Sequence, residues 1–169
     1  MSVGALIPVE EYLRTSYKPD CEFKDGVLVE KAMPKKSHAR LQLKLGQYFG
    51  VHEKQWGICA YTELRIRLRE GQCDVPDVCV YELPEPEGKV PQTPPLLWIE
   101  ILSETDSMKD VWEKAKEVIA FGTRYFWVID PDTLESELRT ASGGTVITDE
   151  TLRLHNSPIV VPLREVIEA

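Results

Sequence analysis

The sequence predicts an α/β or α+β fold in which helices flank a mixed central sheet. Two apolar runs, LWIEILS and YFWVID, have the composition of strands that are buried on both faces. A segment with helical periodicity separates them, and further strand-like segments precede and follow this unit. The 169 residues have the size of one domain and contain no internal repeat. We therefore expect a single domain over residues 1–169.

The first elements predict an α-β-β-α order. PVEEYLRTS is typical of a short amphipathic helix. In CEFKDGVLVEKA, apolar and polar residues alternate on both sides of Asp25-Gly26, a dipeptide that accepts the positive φ angles of a tight hairpin turn. Ser37 is then the predicted N-cap of a helix that extends to about His52, because apolar residues recur at helical spacing.

The middle and end of the chain predict more strands. ICAYTELRIRLRE predicts two short strands, and DVPDVCVYE predicts another after a turn at residues 70–72. ELPEPEGKVPQTPP has five prolines in fourteen residues, which predicts a surface loop before the LLWIEILS strand. Asp106 or Ser107 is expected to cap a helix through about Phe121, which Gly122 ends. YFWVID is the next strand, and the remainder predicts hairpin-like β-structure with a short C-terminal helix.

Composition excludes several classes of protein. A formal net charge of -8 argues against a protein that coats nucleic acid by bulk attraction, but not against an enzyme that meets phosphate through metal ions. No run approaches the roughly twenty apolar residues of a membrane span, and the first residues lack the basic flank of a signal peptide. We expect a soluble, cytoplasmic protein. The four cysteines lack metal-ligand spacing, which predicts reduced core thiols.

Two carboxylates fall in segments that otherwise predict buried strands: Asp77 in VPDVCVY and Glu100 in LWIEILS. A buried carboxylate is costly unless it is paired, protonated or bound to a cation. If neighbouring strands bring the two side by side, a divalent metal ion offsets both penalties, and hard oxygen ligands suit Mg²⁺ or Mn²⁺. The alternative is that each acid lies at a strand end in solvent or pairs with an arginine, and spacing alone does not choose between these interpretations.

Other charged residues near these strands are candidates for the same site. The helix after Glu100 carries Lys109, Lys114 and Lys116, so a lysine there could contact phosphate or lower the pKa of an attacking water. The alternative for each lysine is a solvated helix face, and helical angles do not distinguish Lys114 from Lys116. Glu22, which opens the first hairpin strand, is a candidate third oxygen ligand, with an exposed strand-end acid as the alternative.

The order of these segments resembles the Uma-type family (Uma two) of restriction endonuclease-like proteins, within the PD-(D/E)XK nuclease superfamily. The resemblance covers about residues 6–140. It is carried by CEFKDGVLVE, the helix that begins SHARL, VPDVCVY and LWIEILSETDSMKDVWEKAKEVIAFGTRYFWVID. The resemblance implies a restriction endonuclease-like PD-(D/E)XK core, metal-dependent hydrolysis of DNA and a homodimer.

The resemblance also implies roles for single residues. Asp77 matches the Asp of the PD motif, and Glu100 matches the acid of the (D/E)XK half. The simple motif would place its lysine at position 102, where this sequence has Leu102. Many family members look similar, with the lysine moved to the following helix, where Lys114 is the match. Glu22 matches the acid of the family's opening hairpin.

A mechanism follows from these matches. Asp77, Glu100, the backbone carbonyl of Ile101 and Glu22 are expected to hold one or two Mg²⁺ or Mn²⁺ ions, which activate water and polarise the scissile phosphate. Lys114 is expected to orient that water or to stabilise the charge of the pentavalent phosphorane.

A basic cluster at the start of the second helix is a candidate DNA contact, with a solvated helix start as the alternative. Its members are His38, Arg40 and Lys36, together with Lys31, Lys35 and Lys44. The resulting hypothesis is a Mg²⁺-dependent DNA endonuclease. The acidic balance, the displaced lysine and the lack of an attached sequence-reading domain support a second hypothesis: a catalytically silent nuclease-fold module that binds a protein or nucleic-acid partner.

Overall fold

The computed structural model describes residues 6–169, whose strands form a six-stranded sheet, a four-stranded sheet and a two-stranded ribbon. This part of the chain contains four helices: α1 (Val9–Arg14), α2 (Lys36–Trp56), α3 (Met108–Phe121) and α4 (Leu163–Glu168). Its strands are β1 (Cys21–Lys24), β2 (Val27–Glu30), β3 (Ile58–Thr62), β4 (Ile66–Arg69), β5 (Gln72–Asp74), β6 (Val78–Glu82), β7 (Leu97–Ile101), β8 (Tyr125–Ile129), β9 (Ser136–Thr140), β10 (Gly143–Ile147), β11 (Thr151–Arg153) and β12 (Val160–Pro162).

The six-stranded central sheet has the order β10-β9-β8-β7-β6-β3. β7 runs parallel to β8 and antiparallel to β6, so the sheet is mixed. Leu97, Trp98 and Ile99 on β7 are fully buried, because both faces of the sheet are covered. The predicted fold class is therefore confirmed, with LWIEILS as a central strand.

Helices cover the two faces of the central sheet. α2 and α4 pack on the face that carries Leu97 and Ile99, whereas α3 packs on the opposite face with Trp98. Successive side chains of a strand point to opposite faces, so Glu100 shares the face of Trp98. The strand pattern thus places the Glu100 carboxylate beneath α3.

The four-stranded sheet has the order β2-β1-β5-β4. The β1–β2 hairpin turns at Asp25 and Gly26, whose φ angles are 49° and 88°, as the Asp-Gly dipeptide predicts. α1 packs on this sheet through Tyr12, whose hydroxyl donates a hydrogen bond to the carbonyl of Cys21 (2.7 Å). This packing fixes β1, the strand that carries Glu22.

The segment DVPDVCVYE, predicted as one strand, is divided between the two sheets. β5 ends at Asp74 in the four-stranded sheet, and β6 begins at Val78 in the central sheet. Pro76 has no N–H for a ladder hydrogen bond, which accounts for the break. Asp77 therefore lies at the crossing between the sheets rather than inside a strand.

The helix limits differ in part from those predicted. α2 begins at Lys36, so Ser37 lies in its first turn and is not the N-cap. It continues past His52 because Trp56 still packs against the core, and Gly57 ends it with a φ of 65°. Ser107 occupies the N-cap position of α3, and Gly122 ends α3 as predicted.

All four cysteines are buried and free, which confirms the prediction of core thiols. Within residues 6–169, no helix combines the length and the apolar character that a membrane span requires.

Candidate active site

A cavity of about 240 Å³ lies where the four-stranded sheet, the end of β7 and the start of α3 meet. Its lining includes Glu22 from β1, Asp77 from the crossing between the sheets, Glu100 from β7 and Lys114 from α3. The fold thus brings together the four side chains for which the sequence predicted a catalytic role. Ile101, the predicted source of a carbonyl ligand, lines the same cavity.

Asp77 is buried and held by three partners. Its Oδ2 accepts a hydrogen bond from the backbone N–H of Ile101 (2.8 Å) and lies 3.3 Å from Nε2 of His38. Its Oδ1 lies 3.0 Å from Nζ of Lys31. Although burial acts to raise it, the hydrogen bond from His38 and the charge of Lys31 lower the pKa of Asp77 to about 2. Asp77 is therefore ionised over the whole neutral range.

The pKa of Glu100 is shifted in the opposite direction to that of Asp77. Its Oε1 accepts a hydrogen bond from the indole Nε1–H of Trp98 (2.7 Å) and lies 3.3 Å from Nζ of Lys114. Burial raises the pKa of Glu100 to about 7, against the lowering effect of Lys114. The carboxyl of Glu100 thus changes its charge near neutral pH.

Lys114 joins two of the acids. Its Nζ lies 2.6 Å from Oε1 of Glu22 and 3.3 Å from Oε1 of Glu100. Glu22 also accepts a hydrogen bond from the backbone N–H of Val75 (3.0 Å), which fixes its carboxylate. Lys116, the alternative to Lys114, is largely exposed and pairs with Glu113 on its own helix. The structure thus places Lys114 in the cavity.

Two further charged residues belong to this region. Lys31 was predicted only as part of a basic surface cluster, but its ammonium is nearly buried against Asp77 and Glu63. Asp74, which was not singled out, is buried, and its carboxylate accepts hydrogen bonds from the Gln72 amide at 3.2 Å. Burial and the charge of Glu22 raise the pKa of Asp74 to about 6. Asp74 stands three positions before Asp77. A second acid so close to a carboxylate that is expected to be buried is the sequence feature that could have identified it.

The predicted DNA-contacting cluster is divided by the structure. Lys36 and Arg40 are exposed at the start of α2, as a surface contact requires. His38 is not on the surface: it is only 9% exposed, and its imidazole faces Asp77 at the cavity. Helix geometry accounts for this difference, because His38 lies on the same helix face as the buried Leu41 and Leu45.

The donor chemistry of the cavity fits a hard divalent cation. Its carboxylate oxygens are the donor type that Mg²⁺ and Mn²⁺ prefer, and Glu100 is incompletely neutralised even with Lys114 beside it. In the described part of the chain, however, no three His, Cys, Asp or Glu side chains are grouped so that they could hold a metal ion. Lys31 and Lys114 lie against the acids instead.

Comparisons with known proteins agree with this fold. The model of the Uma2 family, described as "Putative restriction endonuclease", matches residues 9–167. Among similar solved structures is the crystal structure of "a putative nuclease belonging to DUF820" from Anabaena variabilis. It is 23% identical to this chain, with a TM-score of 0.81, over 96% of this chain and 98% of that chain. No curated protein is significantly similar to the chain. The family match spans nearly every residue, and the chain therefore belongs to the Uma2 family, which confirms the resemblance that its motifs indicated.

Proposed function

We propose that this protein is a metal-dependent nuclease that hydrolyses phosphodiester bonds of DNA. The observation that carries the proposal is the position of Lys114, whose ammonium contacts acids from two separate strands, Glu22 and Glu100, at one cavity. The family description, which refers to restriction endonucleases, supports the same reaction class.

The acids, one backbone carbonyl and one lysine of the cavity have separate roles in this proposal. Asp77, Glu100, Glu22 and the carbonyl of Ile101 hold Mg²⁺ or Mn²⁺. When bound, such an ion supplies positive charge to the scissile phosphate and lowers the pKa of water. Lys114 orients the attacking water and stabilises the negative charge that develops on the phosphate. Its contact with Glu22 limits the positions that its ammonium can take.

The exposed lysine and arginine at the start of α2 suit the DNA backbone. Lys36 and Arg40 lie within two residues of His38, which lines the cavity. Residues two positions apart point to nearly opposite sides of a helix, so a DNA strand that contacts Lys36 and Arg40 lies along the outer side of α2, the helix whose inner face carries His38. This contact is local, which is compatible with a net charge of -8 for the whole chain.

The test is a cleavage assay with supercoiled plasmid and linear DNA in Mg²⁺ or Mn²⁺. Asp77→Asn, Glu100→Gln and Lys114→Met should each abolish cleavage, whereas Lys116→Met should retain it. Nicking that all four variants retain would identify a contaminating nuclease and refute the assignment. RNA of the same sequence is the comparison that tests the preference for DNA.

One observation favours the second candidate, a silent module that binds a partner. The described residues contain no preassembled group of three metal-binding side chains, and two lysines already neutralise part of the acid charge. Calorimetry distinguishes the candidates without any substrate. Heat of Mn²⁺ binding that Asp77→Asn abolishes supports the nuclease, whereas no binding by a protein that also cleaves no DNA supports the silent module.

We further propose that the protein acts as a homodimer, since two copies let two sites meet the two strands of a duplex. Light scattering coupled to size-exclusion chromatography measures this directly. A mass of twice 19.3 kDa supports the proposal, and a mass of 19.3 kDa at all concentrations used in the cleavage assay refutes it.

A further inference from the structure

Lys31 is a second lysine of the site, and it contacts a different acid from those that Lys114 contacts. Its Nζ lies 3.0 Å from Oδ1 of Asp77, 3.2 Å from Oε2 of Glu63 and 2.9 Å from the carbonyl oxygen of Val75. An ammonium group has three donors, and these three acceptors use all of them. The side chain is only 16% exposed, so this cation belongs to the interior of the site.

Lys31 and a divalent metal ion would meet at the same carboxylate. Asp77 has one oxygen against Lys31 and the other against Ile101 N–H and His38, so a metal ion that reaches Asp77 comes close to the lysine charge. Positive charges a few ångströms apart in a partly desolvated site repel strongly. Binding of the metal therefore requires that Lys31 give up its contact with Asp77 or tolerate the repulsion.

The surroundings of Lys31 offer a place to which its ammonium can shift. Glu63 and the Val75 carbonyl remain as acceptors when the contact with Asp77 is lost. Glu63 is itself held, because its Oε1 accepts a hydrogen bond from the side-chain amide of Gln42 (2.7 Å). The lysine can thus leave Asp77 and still keep two acceptors, of which Glu63, with a side chain 41% exposed, lies at the edge of the site.

We infer that Lys31 is an internal counter-ion that competes with the divalent metal ion for Asp77, and that Glu63 receives its ammonium when the metal binds. The inference rests on the proposed metal site. Its support is the contact of Lys31 with Asp77, which engages one of the two carboxylate oxygens that a metal ion would use.

The test measures Mn²⁺ binding by calorimetry, with no DNA present. Lys31→Met removes the competing charge and should tighten binding by roughly tenfold or more. Lys31→Arg keeps the charge and should leave the affinity near that of the parent. Lys116→Met, which removes an exposed lysine on α3, is the control for net charge.

Glu63→Gln is a second variant, which should change the affinity for Mn²⁺ in the opposite direction to Lys31→Met. Without the Glu63 charge, Lys31 is held more firmly at Asp77, so Mn²⁺ binding should weaken severalfold. In the Lys31→Met background, Glu63→Gln should have a much smaller effect, because Glu63 acts through the lysine. Circular dichroism of every variant verifies that it is folded, and a larger rise in melting temperature on adding Mn²⁺ to Lys31→Met supports the same conclusion.

The outcomes separate this inference from the proposed function. If the parent binds Mn²⁺ and Lys31→Met binds it no more tightly, the competition is refuted while the metal site stands. If Glu63→Gln weakens binding equally with and without Lys31, Glu63 does not act through Lys31 and that part is refuted. If neither the parent nor Lys31→Met binds Mn²⁺, the inference and the metal site both fail.

Discussion

The ammonium of Lys114 lies 2.6 Å from the carboxylate of Glu22, a residue 92 positions earlier in the chain. Both side chains are mostly buried, at 23% and 13% exposure. A mostly buried ion pair stabilises the fold only if its geometry is good, because both charged groups lose their hydration on burial. The contact therefore fixes the end of one lysine against the acidic cavity and motivates the first prediction.

Lys114→Met should lower the rate of DNA cleavage by at least roughly a hundredfold, because it removes the cation that would stabilise charge on the phosphate. The matched control is Lys116→Met, two positions away on the same helix, which should change the rate less than about twofold because that lysine is exposed and pairs with Glu113 of its own helix. Initial rates on one plasmid substrate check both values. Equal losses in the two variants would exclude a special role for Lys114.

Leu102→Lys should partly restore cleavage to Lys114→Met. Leu102 follows β7 and lines the same cavity as the acids, so a lysine there can reach the phosphate position from the strand. The measurement is the cleavage rate of the double variant beside each single variant. A double variant as inactive as Lys114→Met would mean that position 102 does not present its side chain to the reacting group.

Trp98→Phe should destabilise the protein more than Trp127→Phe does. Both indoles are fully buried, but the Nε1–H of Trp98 donates to Glu100 at 2.7 Å, whereas that of Trp127 has no partner among the described residues. A hydrogen bond to a charged group contributes about 1.5 to 3 kcal/mol, and the two substitutions remove similar volume. Urea unfolding at pH 8 measures the difference. Equal losses would show that the Trp98 hydrogen bond contributes nothing.

Much of the fold could be predicted from local patterns. The Asp25-Gly26 turn, the proline-rich loop and the apolar β7 each have a signal within a few residues, because turn chemistry and burial on both faces constrain local composition. The limits of α2 were less predictable, since packing of Trp56 extends the helix beyond its obvious apolar stripe. Tertiary packing decided that boundary.

Sequence alone singled out two acids that line the candidate cavity, but it did not reveal two of the cations beside them. Asp77 and Glu100 were conspicuous because carboxylates are rare in apolar strands. Lys31 and His38 looked like surface residues, because a sequence does not show that the segment after β2 and the start of α2 fold against Asp77. These contacts join residues that are far apart in the sequence, and they form because the fold brings the two sheets and α2 together at Asp77.

Lys36→Ala and Arg40→Ala should each weaken DNA binding severalfold at low salt. Each removes an exposed charge at the start of α2, and loss of one phosphate contact should reduce the slope of log affinity against log salt by about 1. Fluorescence anisotropy with a labelled duplex, measured at several salt concentrations, gives both quantities. Lys54→Ala, an exposed lysine in the last turn of α2, is the control and should leave the slope unchanged. An equal effect of Lys54 would indicate only non-specific charge attraction.

Glu100→Gln should stabilise the metal-free protein at pH 8 and not at pH 4. Burial raises the pKa of Glu100 from 4.5 to about 7, so the folded protein binds the proton more tightly than the unfolded chain. The contribution of the protonated acid is fully present below about pH 4.5 and is lost as the pH rises through about 7. The gain for the neutral glutamine at pH 8 is therefore at most on the order of 3 kcal/mol.

The free energy of unfolding of both proteins, measured from pH 4 to pH 8 in the presence of a chelator, tests this expectation. The difference between variant and parent should grow with pH across that window. Glu104→Gln, which removes an exposed carboxylate, controls for the loss of one negative charge. Addition of Mn²⁺ at pH 8 should then stabilise the parent but not Glu100→Gln, since a buried negative charge that destabilises the fold on its own stabilises it once a cation binds to it. A variant that is less stable than the parent at pH 8 without metal would show instead that Lys114 fully compensates the Glu100 charge.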